Sequence, residues 1–352
     1  MKKIICIGSV TRDIFMNVEA DKKIDDKISF PAGAKIYSHE YKESLGGGVA
    51  NVGAGLVKAG FRVFAFSRTD KSMVGKWILK QVKKIKLKKN YLQQNRGGVP
   101  SATSVVLTDK IEGDRVIIRS GDAVDRFDLE KACRRFRERV DWIYISSQKK
   151  NGMKNLETIV NFANQKKAKI TLNPSSYQLN NDNDSLLNKL SDITVLFLNL
   201  QEARQLLGEE MQESLTEKDI DQQHIVVRNL MEKILTFGVK IVCITDGSRG
   251  AWVAGMLSGE MVMYYLHAFN TDSVADTTGA GDAFASGFMA LYIYDEDDLE
   301  MRFPLRIQRA LAGGIANSSG VITEVGATKG LLKESRLKKE AEKLLSEIIE
   351  VG

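Results

Sequence analysis

Short apolar runs alternate with longer amphipathic stretches along this chain. The runs IICIG from Ile4, RVFAFS from Arg62, WIYIS from Trp142, KITLN from Lys169, VLFLN from Val195 and KIVCIT from Lys240 are nearly continuous, as strands buried on both faces are. Between them, helical spacing covers Val49–Ala59, Leu129–Arg139, Asn155–Asn164, Gln201–Leu207 and His224–Phe237. This alternation predicts an α/β fold: a doubly wound, mainly parallel sheet with helices on both faces. Two segments break the pattern. Thr11–Leu45 is long and weakly patterned, and SATSVVLTDKIEGDRVIIRS from Ser101 reads as a hairpin turning at Glu112-Gly113-Asp114. Together they predict a small β lid of residues 11–45 and 99–120, with residues 1–10, 46–98 and 121–352 forming the core.

The stretch DTTGAGDAFASGFMALY, Asp276 to Tyr292, sets two glycines and an aspartate ahead of Phe284, Phe288, Leu291 and Tyr292 at helical steps. A buried amphipathic helix is expected to begin near Gly279 or Ala280. Its first N–H groups lack intrahelical partners and carry the positive end of the dipole, so they suit an anion such as phosphate. Asp282 in the same turn would repel that anion unless a group between them gives up a proton, which a substrate hydroxyl can do. On this reading Asp282 takes the proton, the oxygen attacks a phosphoryl group, and the N–H groups of Gly279, Ala280 and Gly281 hold the developing charge. The structural alternative is an acid that only complements the dipole.

Further loops fall after strands, on the edge where open α/β sheets bind ligands. Asp13 follows the first strand, and GGGVANVGAGLVKAG from Gly46 offers close backbone approach at Gly47 and Gly48 with an amide at Asn51. Asn199 and Glu202 follow the fifth run, where a carboxylate suits magnesium or its water shell; a helix cap is the plainer reading. Thr245, Gly247 and Arg249 follow the sixth run and present a glycine turn and a guanidinium to phosphates. No strand is evident before the triple glycine, and its spacing disfavours a dinucleotide fingerprint.

With 352 residues and 43% hydrophobic content, the chain can bury a large core. A net charge of +6 suits a small anionic substrate without demanding nucleic acid. The seven lysines of Lys76–Asn90 and the cluster from Arg134 are interrupted by apolar or acidic residues, and read as solvated helix faces. Cys6, Cys133 and Cys243 have neither disulfide nor zinc spacing, His39, His224 and His267 have no metal-ligand spacing, and no apolar run reaches spanning length. A cytoplasmic protein without membrane or nucleic-acid partners is expected.

These motifs resemble those of the PfkB carbohydrate kinases, the ribokinase-like family, over almost the full chain. DTTGAGDAFASGF is similar to the carboxy-terminal signature of that family, and GGGVANVGAGLVKAG to the amino-terminal one. The resemblance implies ATP-dependent phosphorylation of a hydroxymethyl-type alcohol on a sugar or small polyol, with Asp282 as base and Gly279, Ala280 and Gly281 as anion hole. It implies that Asp13, Gly47, Gly48 and Asn51 hold substrate hydroxyls, and that Asn199 and Glu202 serve magnesium and phosphate. Thr245 and Gly247 would line the nucleotide site, where Arg249 is also expected, Asn317 in GGIANSSGVITEVGA would lie on the adenine side, and Asp276 would help bind an optional potassium ion. A homodimer through the lid is the expected assembly.

The chain also departs from the family. Gly48 stands where ribokinases and several phosphosugar kinases commonly have lysine, so a doubly charged sugar phosphate becomes the less expected acceptor. SSQKK from Ser146 lacks the carboxylate that ribokinases place there, which puts ribose in doubt. Phe30 and Tyr37 offer a base something to stack on, and a nucleoside 5′-hydroxyl is the alternative acceptor. A non-catalytic sugar or nucleotide sensor is the alternative outside catalysis, although a sensor has no need for Asp282.

Overall fold

The computed structural model describes residues 1–18, 22–24, 27–30, 32–38, 40–95, 98–109, 115–121, 123–146, 152–174, 176–181, 183–209, 220–269, 274–298 and 301–352. Down the chain come β1 (Lys3–Ile7), β2 (Thr11–Val18), β3 (Lys22–Ile24), β4 (Lys27–Ser29), β5 (Glu40–Gly46), α1 (Gly48–Lys58), β6 (Arg62–Asp70) and α2 (Met73–Lys84). There follow β7 (Leu92–Asn95), β8 (Thr103–Asp109), β9 (Arg115–Ser120), α3 (Leu129–Arg135), β10 (Trp142–Ile145), α4 (Gly152–Lys166), β11 (Lys169–Leu172), α5 (Ser176–Asn181) and α6 (Asn183–Leu187). The last part holds β12 (Val195–Asn199), α7 (Leu200–Leu206), α8 (Ile220–Thr236), β13 (Ile241–Thr245), β14 (Ala251–Leu257), β15 (Glu260–Leu266), α9 (Ala280–Tyr294), α10 (Phe303–Ile322), α11 (Glu334–Leu344) and β16 (Ile349–Glu350).

Among the described residues, ten strands form one sheet in the order β16-β15-β14-β13-β12-β11-β10-β1-β6-β7. From β7 to β13 every neighbouring pair is parallel, and the β13, β14, β15 and β16 pairings are antiparallel. Successive side chains leave a strand on opposite faces. Accordingly Ile4 and Cys6 join one apolar core with α1, α9 and α10, while Ile5 and Ile7 join another with α3, α4 and α8. Both faces are covered, which is why the strands are apolar runs rather than alternations. Among the described residues, no helix is long and apolar enough to cross a membrane.

A second sheet, in the order β5-β2-β8-β9, is the lid. Its strands were hard to see for different reasons. β2 and β5 lie in the weakly patterned segment because one side of this sheet is exposed, and β9 is exposed from Val116 to Ser120. The β8–β9 hairpin forms, with Thr108 opposite Arg115; its expected turn at Glu112-Gly113-Asp114 lies outside the described residues. β5 runs straight into the triple glycine, correcting the reading that no strand precedes it.

Other differences have local causes. α3 stops at Arg135 instead of Arg139 because Phe136 turns extended, with φ −78° and ψ 108°, to reach the core. The β14–β15 hairpin was missed although Ser258-Gly259, with φ +52° and +91°, is a two-residue turn of the kind that tight hairpins use. α2 buries Ile78 and Val82 and exposes its lysines, the solvated basic face expected of it.

Candidate active site

Three glycines carry the chain from the lid strand β5 into α1, each for a steric reason. A Cβ on Gly46 would fall 1.7 Å from Asp13 Oδ2, one on Gly47 2.5 Å from the Ser9 carbonyl oxygen, and one on Gly48 2.3 Å from Ser146 Oγ. Gly47 caps the helix at φ +89°, in the left-handed region that glycine enters freely. The gap therefore admits Asp13 from one side and Ser146 from the other. Asp13 is buried and accepts a hydrogen bond from Thr11 Oγ1 at 2.9 Å. Burial raises its pKa above the ordinary aspartate value and nearby Asp276 adds to this, while the hydroxyls of Thr11 and Ser104 and the charge of Arg119 oppose it.

The first turn of α9 faces the same gap. Gly279 is its N-cap at φ +83°, and a Cβ there would lie 2.3 Å from the Cβ of Ala327. The first helical hydrogen bond runs from the Ala283 N–H to the Gly279 carbonyl at 2.8 Å, so the amides of Gly281 and Asp282 precede the ladder. The Ala280 N–H is not bare as expected; it donates to the Thr277 carbonyl at 3.3 Å. No atom lies within 4 Å of a Cβ built on Gly281, which opens onto the cleft. From Ala283 to Ile293 the helix is buried on every side, so it is apolar all round rather than amphipathic.

Asp282 is half-buried, and Asn51 on α1 donates to its Oδ2 at 2.9 Å. Desolvation raises the pKa of Asp282, the Asn51 hydrogen bond works against it, and the charge of Asp13 adds to the rise. The wholly buried Tyr144 hydroxyl lies close enough to Asp282 to hold down that carboxyl's pKa, though outside ordinary hydrogen-bond geometry. The pKa of Tyr144 itself is raised, first by burial and then by the charge of Asp282. Sequence reading passed over this tyrosine because it sits within an apolar run.

Asp282 and Gly281 share a cavity of about 280 Å³ with Asn199, Glu202, Thr245, Asn173 and Gly279. Asn199 and Glu202 make a capping box: the Glu202 N–H donates to Asn199 Oδ1 at 2.8 Å and the Asn199 N–H to Glu202 Oε2 at 3.0 Å. Both the cap and the cleft-lining role are thus present, and burial raises the pKa of Glu202. An all-oxygen pair beside a phosphate-sized space fits magnesium, which keeps several waters and takes few protein ligands. Among the described residues no cluster of three or more His, Cys, Asp or Glu side chains forms a closed metal cage.

Three expected residues are placed differently. Arg249 is held by Asp246, with Nε donating at 2.6 Å and Nη2 at 3.0 Å, so its fork faces a neighbour three residues back rather than the cleft. Asn317 is 2% exposed; its Nδ2 donates to the Ala283 carbonyl at 2.8 Å and to Ser286 Oγ at 3.0 Å, and its Oδ1 accepts from the Leu332 N–H at 2.9 Å. It ties α10 to α9. Asp276 accepts the N–H groups of Thr278 at 2.8 Å and Gly326 at 3.1 Å, tying the loop before α9 to the loop after α10. Gly247, at φ +55°, turns the chain in open space. Residues 147–150 of the expected sugar-gripping loop lie outside the described residues.

The profile described as pfkB family carbohydrate kinase matches residues 1–333. The chain belongs to that family. The kinase is 24% identical over 287 residues to the ATP-dependent 6-phosphofructokinase of Thermoanaerobacterium thermosaccharolyticum, covering 76% of this chain and 81% of that protein. In fold it is similar to a ribokinase from Giardia lamblia, with TM-score 0.74 and 21% identity over 98% of each chain. The nucleoside kinase of Methanocaldococcus jannaschii, an archaeal member of the ribokinase family, superimposes with TM-score 0.70 and 18% identity over 97% of this chain and 99% of that one. The family makes the chain an ATP-dependent carbohydrate kinase.

Proposed function

We propose that the kinase phosphorylates a hydroxymethyl-type alcohol on a sugar or related small polyol, with Asp282 as general base. The observation that carries this is a desolvated aspartate at the open N-terminus of α9, on the wall of a cavity shared with Asn199, Glu202 and Thr245. The acceptor hydroxyl lies against Asp282 and gives it its proton as the new O–P bond forms. The bond between the γ-phosphorus and the β,γ-bridging oxygen breaks, and ADP leaves with that electron pair. The N–H groups of Gly281 and Asp282, fixed before the substrate arrives, hold charge on the moving phosphoryl oxygens. Asn51 keeps Asp282 aimed, and Asp13 holds acceptor hydroxyls. Magnesium, held through water by Glu202 and Asn199, would neutralise phosphate charge.

A cavity of about 380 Å³ lined by Phe269, Ala316, Gly320, Thr323 and Leu332 suits a nucleobase. Its lining leads through residues 323–327 back to Gly279. A second copy of the chain is the proposed partner of the lid, whose edge strand β9 exposes Val116, Ile117 and Ile118. A nucleoside acceptor is the second reading, favoured by Tyr37, 78% exposed in the chain segment leading into β5. The test is phosphoryl transfer from ATP with magnesium across neutral sugars, phosphorylated sugars and nucleosides, with Asp282→Asn beside the wild type. One acceptor whose turnover vanishes in the variant supports both reaction and base; equal turnover in the variant removes Asp282 from the role.

A further inference from the structure

The sequence lacks a cation at position 48, and the structure shows why none can stand there: a Cβ on Gly48 would lie 2.3 Å from Ser146 Oγ and 2.5 Å from its Cβ. A cation reaches the acceptor side from the lid instead. Asp13 on β2 stands opposite Ser44 on β5 and Ser104 on β8, and Ser104 stands opposite Arg119 on β9. Residues directly paired across a sheet project from the same face. Ser44, Asp13, Ser104 and Arg119 therefore form one row across the lid, and a Cβ on Gly326 would come within 3.0 Å of Ser44 Oγ, which sets the row against the loop beside α9. Asp13 and Arg119 are two strands apart, about 10 Å between backbones, a span that an arginine side chain and a small sugar together bridge.

The rest of the surroundings sharpen the contrast. Arg12, next to Asp13, leaves β2 on the opposite face, where it pairs with Glu43 and Tyr41 and lies over Trp77. Arg119 is exposed, and among the described residues no hydrogen bond or ion pair holds it. Its field reaches Asp13 and opposes the rise in that carboxyl's pKa. Asp13 lies close enough to Asp276 to feel its charge, and Asp282 close enough to feel that of Asp13. An acceptor that carries its own negative charge needs a cation to enter such a place, and a neutral one does not.

We propose that Arg119 holds a phosphate ester on the acceptor, so that the substrate class is a phosphorylated sugar whose hydroxyls sit at Asp13. This rests on the kinase reading above. A guanidinium meets a phosphate through paired, charge-assisted N–H bonds, which lysine does not reproduce.

The test compares kcat/KM on paired acceptors, fructose with fructose 6-phosphate and ribose with ribose 5-phosphate, for the wild type, Arg119→Gln and Arg119→Lys. The expected result is a wild-type preference for the phosphorylated member of one pair. That preference falls about ten- to hundredfold in Arg119→Gln, mainly through KM, as loss of a hydrogen bond to a charged group predicts, and is partly restored in Arg119→Lys. A neutral acceptor used as well as its phosphorylated partner, or a loss shared equally by both, overturns the proposal and leaves Arg119 only offsetting Asp13. Should no acceptor turn over, thermal shift with the same phosphorylated sugars decides: stabilisation of the wild type that Arg119→Gln loses supports it, and no stabilisation of the wild type overturns it. Loss of the kinase reading shows separately, as no phosphoryl transfer from ATP to any acceptor, neutral or phosphorylated.

Discussion

The first turn of α9 and the row across the lid face the same gap, and they are built in opposite ways. Asp282 sits on a helix buried from Ala283 to Ile293, held by Asn51 from α1. Asp13 and Arg119 sit on a sheet whose outer strand is exposed from Val116 to Ser120. Chemistry common to a family needs groups whose positions cannot drift, and a packed core supplies that. Selection among acceptors needs groups that can change without disturbing the core, and a thin sheet supplies that.

Replacing Asp282 with Asn tests the first half most severely: turnover should fall about a hundredfold or more, the usual cost of losing a general base, with nucleotide binding retained. The same variant should melt at a higher temperature near neutral pH. Burial raises the folded-state pKa of Asp282, so the carboxylate form costs stability at a pH above that value, and the cost is relieved as pH falls through it. The melting difference between variant and wild type should therefore shrink in acid. Gly281→Ala separates site from scaffold. Its Cβ has open space, so stability should stay within about 0.5 kcal/mol while intrusion into the phosphoryl position lowers turnover about tenfold. Gly279→Ala should instead lose about 1 to 3 kcal/mol in urea unfolding, because φ is +83° and Ala327 is in the way.

The pH profile distinguishes the regions more gently. The acid limb of kcat/KM should lie above the ordinary aspartate range near 4, because Asp282 and Asp13 are both raised. A limb at the ordinary value would count against a desolvated base. Smallest is the effect of Ile117→Ser with Ile118→Ser on the lid edge, where exposure of 54% and 55% predicts a stability change within about 0.5 kcal/mol. Sedimentation should show a dimer giving way to monomer; an unchanged mass would leave the lid without a partner.

The core was legible in the sequence because burial on both faces makes strands continuous apolar runs, and because glycines mark places where side chains collide. Gly46, Gly47, Gly48 and Gly279 each prove to have such a collision. The lid was half legible: β8 and β9 announce themselves as a hairpin, but β2 and β5 are paired across a long connection and half exposed, which erases the pattern. Asn199 and Glu202 line one cavity with Asp282, at the strand edge the sequence suggests, whereas the pairing of Arg249 with Asp246 and the internal bonds of Asn317 depend on rotamers that spacing does not specify. Arg119 had no signal of its own, since its relation to Asp13 exists only through the register of β2, β8 and β9.

Where α9 and α10 cross, a Cβ on Gly287 would strike the Gly313 carbonyl oxygen at 2.3 Å, so the two backbones touch. Amides in so close a contact are reached by deuterium only when the molecule opens as a whole. The turn that carries Asp282 runs directly into that contact on the same helix. Loss of catalysis on heating should therefore coincide with global unfolding and not precede it, while a lid edge that exchanges within seconds would be no sign of damage.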